Sequence, residues 1–160
     1  MVPAFGLEVA QPSQRVGKDR MLKHIARRQL KALRLKYQRL VGARPLAFAH
    51  LTPAKVPKAA GVYLITMLKG PYERPYYVGR TKNFRQRLYN NHLLGPLSNA
   101  RLKKHLIDAG ECRDAHDAKA FIRRYCVVRW VKQEGFRQRG ALEGYVTGLL
   151  FPKHGIYEEH

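Results

Sequence analysis

The stretch from residue 61 to residue 81, GVYLITMLKGPYERPYYVGRT, decides how this chain folds. Its first part, Gly61–Met67, is rich in β-branched and aromatic residues, which is typical of a strand. Residues Lys69–Pro75 contain one glycine and two prolines and are predicted to form a turn region. Tyr76–Thr81 is again rich in strand-forming residues. The stretch therefore predicts a β-hairpin.

The sequence downstream of the hairpin alternates between helical and strand-like patterns. Asn83 suits the N-cap of a helix that runs to about Asn91. Three further elements are predicted: a helix from Ser98 to near Gly110, a third strand over Phe121–Val131, and a last helix from Phe136 or Gln138 to about Phe151. The sequence thus predicts an α+β fold, with a small three-stranded mixed β-sheet flanked by helices.

The region upstream of the hairpin, residues 1–58, is predicted to be an addition to a domain over 59–160. Residues 1–14 are expected to form an extended arm, and residues 43–60, with three prolines, a linker. Between them, Lys18–Val41 has a helical pattern with a stripe of apolar residues. This stripe is expected to pack on the domain, or to form the seam of a possible homodimer; it consists of Leu22, Ala26, Leu30, Leu33, Tyr37 and Leu40.

The charge of the chain indicates its partner. It carries 31 Lys and Arg against 11 Asp and Glu, a formal net charge of +20. Such a surface fits phosphate contacts on nucleic acid. An anionic membrane surface is the competing partner, but the basic N-terminal helix lacks the Trp and Phe that would favour it. Nucleic acid is therefore the expected partner, with no membrane, and the expected phosphate contacts on this helix are Arg27, Arg28, Lys31 and Arg34.

Features of targeting and redox chemistry suggest a cytoplasmic protein. The first ten residues do not form a basic segment followed by a long apolar run, so a secretory signal is not expected. Cys112 and Cys126 are not spaced for a CxxC pair or a zinc finger. They are expected to be reduced and partly buried thiols.

Four short elements in this chain occur at the spacing of a known family. Gly61-Val62-Tyr63 and Tyr77-Val78-Gly79 lie on the two hairpin strands, Arg87 lies in the following helix, and Glu143 lies in the late amphipathic helix. Together they resemble the GIY-YIG nucleases, over roughly Ala59 to His154. A single Gly-x-Tyr or Tyr-x-Gly has little weight, but the whole ordered set is rare. The resemblance implies a divalent-metal-dependent endonuclease that hydrolyses phosphodiester bonds of DNA, duplex or branched.

The resemblance also implies a role for each of these residues. Glu143 would be the metal ligand, for Mg²⁺ or Mn²⁺ in a one-metal site, because a hard cation needs few protein oxygens and keeps its waters. Arg87 would clamp the scissile phosphate with its planar fork. Tyr63 would be the general base or would position the water, with a pKa depressed by nearby cations. Tyr77 would hydrogen-bond near the phosphate or the water.

The chain departs from the family pattern at two places. The family often has a His four residues after the motif Arg, but that position is Asn91 here and the histidine is His92. One α-helical step rotates a side chain by about 100 degrees, so His92 is expected to point elsewhere unless the helix ends early. The late Asn of the family has no match after Phe151, where Lys153 and His154 stand. Lys82, Asn91 and His92 are thus expected only as supporting residues.

Several basic residues remain as candidate nucleic-acid contacts, and one alternative function stays open. Arg80 is expected to contact a flanking phosphate or to pack its stem on the sheet, not to act in catalysis. The other contacts expected are Arg85, Arg101 and Lys104. The alternative is a non-catalytic nucleic-acid-binding module on the same fold. A metal-dependent cleavage assay separates it from the nuclease.

Overall fold

A computed structural model describes residues 12–155 of the chain, with side chains from residue 17. The fold is α+β, as predicted. Its helices and strands are α1 (Pro12–Gly42), β1 (Leu46–Ala47), β2 (Gly61–Lys69), β3 (Tyr72–Thr81), a π-helix (Arg85–Leu94), α2 (Arg101–Asp108), α3 (Ala115–Tyr125), β4 (Cys126–Lys132) and α4 (Phe136–Leu150). The chain divides into two compact units, Met1–Leu35 and Lys36–His160. The domain boundary expected after residue 58 stays a prediction.

The sheet differs from the prediction in strand number and direction. It has four strands in the order β1-β4-β2-β3, and every pairing is antiparallel. The expected three-stranded mixed sheet is therefore wrong. The additional strand, β1, pairs Leu46 with Val128 and Ala47 with Val127 inside the segment predicted to be a linker. Two residues are too few to show an alternating pattern, so β1 has no local signal in the sequence.

Strand β2 lies in the middle of the sheet and is buried on both faces. Tyr63, Ile65 and Met67 belong to the main core cluster, which also contains residues of the π-helix, α2 and α3. The alternate residues Val62 and Leu64 are buried as well, and α4 contacts both β2 and β3. Burial on two faces explains why GVYLITM does not alternate and has Thr66 as its one polar side chain.

The hairpin is confirmed, but its turn is shorter than predicted. Only Gly70 and Pro71 separate β2 from β3, and Gly70 has a φ of +59°, which glycine adopts without strain. Pro75 lies inside β3, opposite Thr66, at a shift of register next to Tyr76. β3 is an edge strand, and a bulge on an edge strand is a place where a sheet tolerates proline. Pro75 is thus a misleading turn signal.

The two glycines of the motif are required because other groups lie against them. A Cβ at Gly79 would overlap the hydroxyl of Tyr63, and a Cβ at Gly61 would overlap the Val131 carbonyl oxygen and the Phe84 ring. Such overlaps cannot be relieved by a small shift in a paired strand. Gly79 is therefore the residue that lets the Tyr63 phenol lie across β3.

The predicted third strand, Phe121–Val131, is wrong over its first five residues. These form the last part of α3, and the strand β4 begins only at Cys126. Asp114 caps the helix, because its side chain accepts a hydrogen bond from the Asp117 backbone N–H, and α3 buries Ala118 and Ile122 one turn apart. The cap and this buried pair outweigh the β propensity of Phe121 and Tyr125.

The helix predicted over residues 83–91 is a π-helix over Arg85–Leu94. The backbone of a π-helix closes from residue i to residue i+5, so each turn holds one residue more than an α-helical turn. Leu88, His92 and Leu93 are its buried residues. Its end is held by Lys103, a buried residue whose Nζ donates to the carbonyl oxygens of Leu93 and Gly95, each at 3.0 Å.

The N-terminal helix α1 is longer than predicted, and its apolar stripe is buried only near the end. Residues 12–14 of the expected arm belong to α1, and residues 1–11 lie outside the described part. Leu22 is 68% exposed and Leu30 is 53% exposed. In contrast, Leu40 is fully buried and the Tyr37 ring meets Tyr145 edge-on at 6.1 Å. In the part of the chain that the structure describes, no helix combines the length and hydropathy that crossing a membrane requires.

Candidate active site

A cleft of about 650 Å³ gathers residues that are distant in the sequence. We call it the central cleft. Its lining includes Tyr63 from β2, Tyr77 from β3, Arg87 from the π-helix and Glu143 from α4. The four residues to which the sequence assigns chemistry therefore lie around one cavity. Arg80, Arg101 and His154 also line it.

The two motif tyrosines lie side by side at the base of the central cleft. Their ring centroids are 6.1 Å apart, and only 1% of Tyr63 and 8% of Tyr77 is exposed. The Tyr63 hydroxyl is 3.0 Å from Nε2 of His92. Because His92 lies five residues after Arg87, an α-helix would have turned it away; the π-helix brings it back to the side of Arg87. The expectation that His92 points elsewhere is wrong.

His92 is an uncharged and incompletely bonded residue. It is fully buried, and this burial, reinforced by the charges of Arg87 and Lys103, lowers its pKa to about 3. The neutral ring can accept a hydrogen bond from the Tyr63 hydroxyl through Nε2. Its Nδ1 is buried without a hydrogen-bond partner among the described residues. A buried nitrogen that lacks a hydrogen-bond partner costs free energy.

Burial has a larger effect on the pKa of the Tyr63 phenol than the nearby positive charges have. Desolvation raises the pKa of Tyr63 well above its ordinary value, and the neighbouring phenol Tyr77 raises it further, while Arg87 lowers it only in part. The expected depression of this pKa is therefore wrong. Desolvation likewise raises the pKa of Tyr77, against the opposing effect of Arg101 and Arg87. Both phenols are neutral in the resting protein.

Two arginines provide positive charge at the opening of the cleft. Arg87 is half-buried, and its Nη1 lies 3.5 Å from the Asn99 carbonyl oxygen. Arg101 is exposed at the start of α2, and a hydrogen bond with it is among the effects that lower the pKa of Tyr77. Guanidinium groups from two elements can thus approach one anion from different sides. Phosphate oxygens suit such a pair of forks.

Glu143 forms an ion pair with Arg80, a residue that was not expected from the sequence to act in catalysis. Nε of Arg80 lies 3.3 Å from Oε2 of Glu143. The Arg80 guanidinium passes over Gly140, where a Cβ would collide with it. Burial raises the pKa of Glu143, and the charge of Arg80 acts in the opposite direction. Arg80 therefore belongs to the central cleft and holds the carboxylate that the motif identifies.

The donor set of the cleft restricts the metal that it could hold. Glu143 is its carboxylate, and Thr147 adds a hydroxyl one helical turn later. Among the described residues, no group of three or more His, Cys, Asp or Glu could surround an ion. These donors suit a Mg²⁺ or Mn²⁺ ion that keeps most of its waters and shares a substrate phosphate. They do not suit a site built entirely from protein ligands, such as structural zinc.

The segment after α4 adds a residue that the motif does not include. The His154 backbone N–H donates to the Tyr76 carbonyl oxygen at 2.9 Å, and its Nε2 lies 2.7 Å from Oε1 of Glu111. Lys153 and the Tyr76 hydroxyl bind the same carboxylate, at 2.8 and 2.7 Å. This network fixes the His154 ring at the wall of the cleft. Glu111 lies in a loop without a distinctive pattern, so the pairing could not be predicted from the sequence.

The remaining predicted residues lie outside the central cleft. Lys82 and Asn91 line a second cavity of about 390 Å³, which we call the flanking groove and which shares Arg80 and Arg87 with the central cleft. Arg85 donates through Nε to the Val56 carbonyl oxygen, a contact within the fold. Lys104 is exposed on α2, near Leu97 and Asp108. The candidate phosphate contacts of α1 are all exposed: Arg27, Arg28, Lys31 and Arg34.

Comparison of the chain with family models, with curated proteins and with solved structures gives no match. What the central cleft can do is therefore inferred from its own residues.

Proposed function

We propose that this protein is a divalent-metal-dependent endonuclease of the GIY-YIG type, acting on phosphodiester bonds of DNA. One observation carries the proposal: Tyr63, Tyr77, Arg87 and Glu143 come from four separate elements and line the same cleft. If they were ordinary strand aromatics and surface charges, they would have no reason to converge. The cleft is basic at its opening and holds a carboxylate, which suits an anionic substrate together with a cation.

The scissile phosphate is expected to lie between Arg87 and Arg101. A planar guanidinium can donate to two phosphate oxygens at once, and its charge offsets the negative charge that grows in the transition state. Arg87 is half-buried and its Nη1 lies 3.5 Å from the Asn99 carbonyl oxygen, so its side chain has less freedom to lose when substrate binds. Preorganisation of this kind lowers the cost of reorienting charge during the reaction.

Tyr63 orients the water that attacks the phosphorus atom. Its hydroxyl hydrogen bonds to neutral His92, so the lone pairs of its oxygen are available to accept a hydrogen bond from water. The raised pKa of Tyr63 means that the phenol does not begin as a base. Because the low pKa of His92 makes its ring a poor proton acceptor, Tyr63 only orients the water, and the proton that the water loses passes to the leaving oxygen. The P–O bond to the leaving oxygen breaks as the new P–O bond forms.

Glu143 is the residue that would hold the metal ion, in a site with few protein ligands. When bound, Mg²⁺ or Mn²⁺ would neutralise charge on the phosphate and leaving oxygens. Arg80 must release the Glu143 carboxylate for this, and its flexible side chain can instead contact a phosphate. The exposed basic residues of α1 would add phosphate contacts that carry no sequence information.

The direct test is cleavage by matched carboxylate variants. Glu143→Gln keeps the side-chain size and removes the anionic oxygen, so cleavage with Mg²⁺ should fall by orders of magnitude while DNA binding survives. Glu134→Gln, at an exposed position before α4, is the control and should cut normally. Each variant is assayed on duplex, branched and single-stranded DNA, with and without Mg²⁺.

DNA binding by the wild-type chain without any cleavage would favour the alternative function, a non-catalytic nucleic-acid-binding module. The ion pair between Arg80 and Glu143 is the observation that keeps this second candidate, because it already satisfies the one carboxylate that lines the cleft among residues 17–155. In that case the wild-type chain would bind DNA and cut none of the substrates. Wild-type activity in Glu143→Gln would instead remove this residue from the mechanism.

A further inference from the structure

The flanking groove has the composition of a nucleotide site rather than of an ordinary surface crease. The described residues that line it include four cations and no carboxylate; they are Arg80, Thr81, Lys82, Asn83, Gln86, Arg87, Asn91, Phe136 and Arg139. Its volume, about 390 Å³, lies in the range of cavities that bind small molecules. An exposed aromatic ring and three amide side chains complete it. The cations can contact the phosphate of a nucleotide, the aromatic ring can contact the face of its base, and the amides can contact the base edge.

Phe136 is the aromatic group of the groove. It is 67% exposed at the start of α4, although a Phe ring gains free energy by burial. The Arg80 guanidinium lies 5.7 Å from its ring centroid. A phenyl ring and a planar guanidinium are both surfaces on which a nucleobase stacks. Inside a duplex the stacked neighbours cover the π-faces of each base, so a base that is unpaired and out of the stack is the one that can lie against these surfaces.

The amides along one side of the groove are fixed by bonds to each other. Nε2 of Gln86 donates to Oδ1 of Asn91 at 3.1 Å, and Oε1 of Gln86 accepts from Nδ2 of Asn90 at 2.8 Å. Each amide nitrogen carries two N–H groups, so the bond to Asn91 uses only one of those on Gln86. Side chains held in this way present their remaining donors in a set direction, which suits recognition of a base edge.

The groove is joined to the central cleft through two shared residues. Arg80 and Arg87 line both cavities. A phosphate held by Arg87 would therefore have its neighbouring nucleotide at the mouth of the groove. The geometry points to a subsite in the flanking groove that binds one unpaired nucleobase next to the scissile phosphate, stacked on Phe136. Its place beside that phosphate rests on the proposed function; the binding of a base does not.

Binding without Mg²⁺ tests the subsite independently of cleavage. The probes are a short oligodeoxyadenylate and an oligomer of abasic phosphates of the same length, which has the same charge but no base. The wild-type chain should bind the oligodeoxyadenylate about 5-fold or more tightly than the abasic oligomer, from the usual value of base–aromatic stacking. Phe136→Leu should abolish this preference and leave abasic binding unchanged, whereas Phe136→Tyr should keep it.

Tyr72 provides the matched control. It is 72% exposed at the opposite end of β3, so Tyr72→Leu removes an exposed aromatic ring without touching the groove. The subsite is refuted if the wild-type chain shows no preference for bases, if Phe136→Leu keeps the preference, or if it weakens both probes equally. Cleavage with Mg²⁺ is measured separately. A chain that prefers bases but cuts no DNA keeps the subsite and loses the proposed nuclease.

Discussion

The hydroxyl of Tyr63 has an unusually closed environment for a group expected to meet water. Gly79 leaves the space that the phenol fills, and His92 binds the hydroxyl from the π-helix. A change that removes only the oxygen should therefore separate chemistry from packing. The ring would keep its place in the core, since the buried surface of Tyr63 is mostly that of the ring.

Tyr63→Phe should reduce the cleavage rate by roughly 10² or more, the range seen when a proton-transfer or water-orienting group is lost. DNA binding should stay near that of the wild-type chain. Single-turnover cleavage and binding to the same duplex measure the two effects. Tyr72→Phe, at the exposed end of β3, is the control and should cut normally. A Tyr63→Phe variant with full activity would show that this phenol has only a packing role.

The neutral state of His92 should make the stability of the fold depend on pH. The unfolded chain protonates this imidazole near pH 6.5, whereas the folded protein does so only near pH 3. Below pH 6.5 protons therefore favour the unfolded state. The contribution of His92 to the free energy of unfolding should decline by up to about 1.4 kcal/mol per pH unit between these two values.

Urea unfolding at several pH values tests this dependence. The difference in unfolding free energy between the wild-type chain and His92→Gln should be constant above pH 7 and should shrink as the pH falls below 6.5. The contributions of other titrating groups are common to both chains and cancel. His116→Gln is the control for loss of an exposed imidazole. A difference that does not change with pH would mean that His92 is not held neutral.

At the residue scale the sequence predicted the motif residues but not their partners. Tyr63, Tyr77, Arg87 and Glu143 stand at the spacing of a known family, so their convergence could be expected. The contacts of His92, Arg80 and His154 depend on helix type, on the missing Cβ of Gly140 and on the path of the chain after α4. A single sequence does not encode these in a local pattern.

Among the elements, the π-helix depends on a side chain from the next helix. Lys103 is 3% exposed and donates to the carbonyl oxygens of Leu93 and Gly95, which an isolated helix end would leave to water. Burial lowers the pKa of Lys103, an effect that the charge of Lys119 reinforces. The burial of Lys103 could not be predicted from the sequence, because the pattern of charges shows no difference between Lys103 and Lys104.

Lys103→Met should destabilise the chain by roughly 1–3 kcal/mol, because the buried carbonyl of Leu93 and the part-buried carbonyl of Gly95 lose their donor. Lys104→Met removes the same charge from an exposed position on α2 and should have little effect. Urea unfolding measures both. Cleavage by Lys103→Met should also fall, since the end of the π-helix carries His92. Equal stability of the two variants would mean that the cost of burying the ammonium group cancels its hydrogen bonds.

Errors in the element predictions share a physical cause. Residues 121–125 have the β propensity of a strand, yet the Asp114 cap and the buried Ala118 and Ile122 hold them in α3. β1 is specified by pairing with β4, far along the chain. The β-branched and aromatic composition did predict β2, and the helical pattern of apolar residues did predict α4. Tertiary contacts decide elements whose own pattern is weak or short.

For the whole molecule, the net charge of +20 should appear as a strong dependence of DNA binding on salt. The Gln variant of the four α1 residues removes exposed charges: Arg27, Arg28, Lys31 and Arg34. The slope of log affinity against log salt should flatten by roughly 0.9 for each phosphate of duplex DNA that the variant no longer neutralises. Fluorescence anisotropy at several salt concentrations measures the slope.

The control lowers the net charge equally at exposed positions on other elements. It replaces Lys69, Arg74, Arg123 and Arg124 with Gln. If both variants flatten the slope equally, the effect comes from overall charge and not from phosphate binding by α1. If the α1 variant keeps the wild-type slope, this helix meets solvent or another protein instead of DNA.

The extra residue in each turn of the π-helix also changes how a motif should be counted. Arg87 and His92 are separated by one residue more than the family spacing, yet they lie on the same side of their helix. The histidine then has to follow the arginine by one helical turn, and not by a fixed number of residues. Removing Asn91 would restore the family interval, and an ordinary α-helix could then carry the histidine to the same place. Pattern searches for such sites should therefore allow a one-letter gap after the arginine.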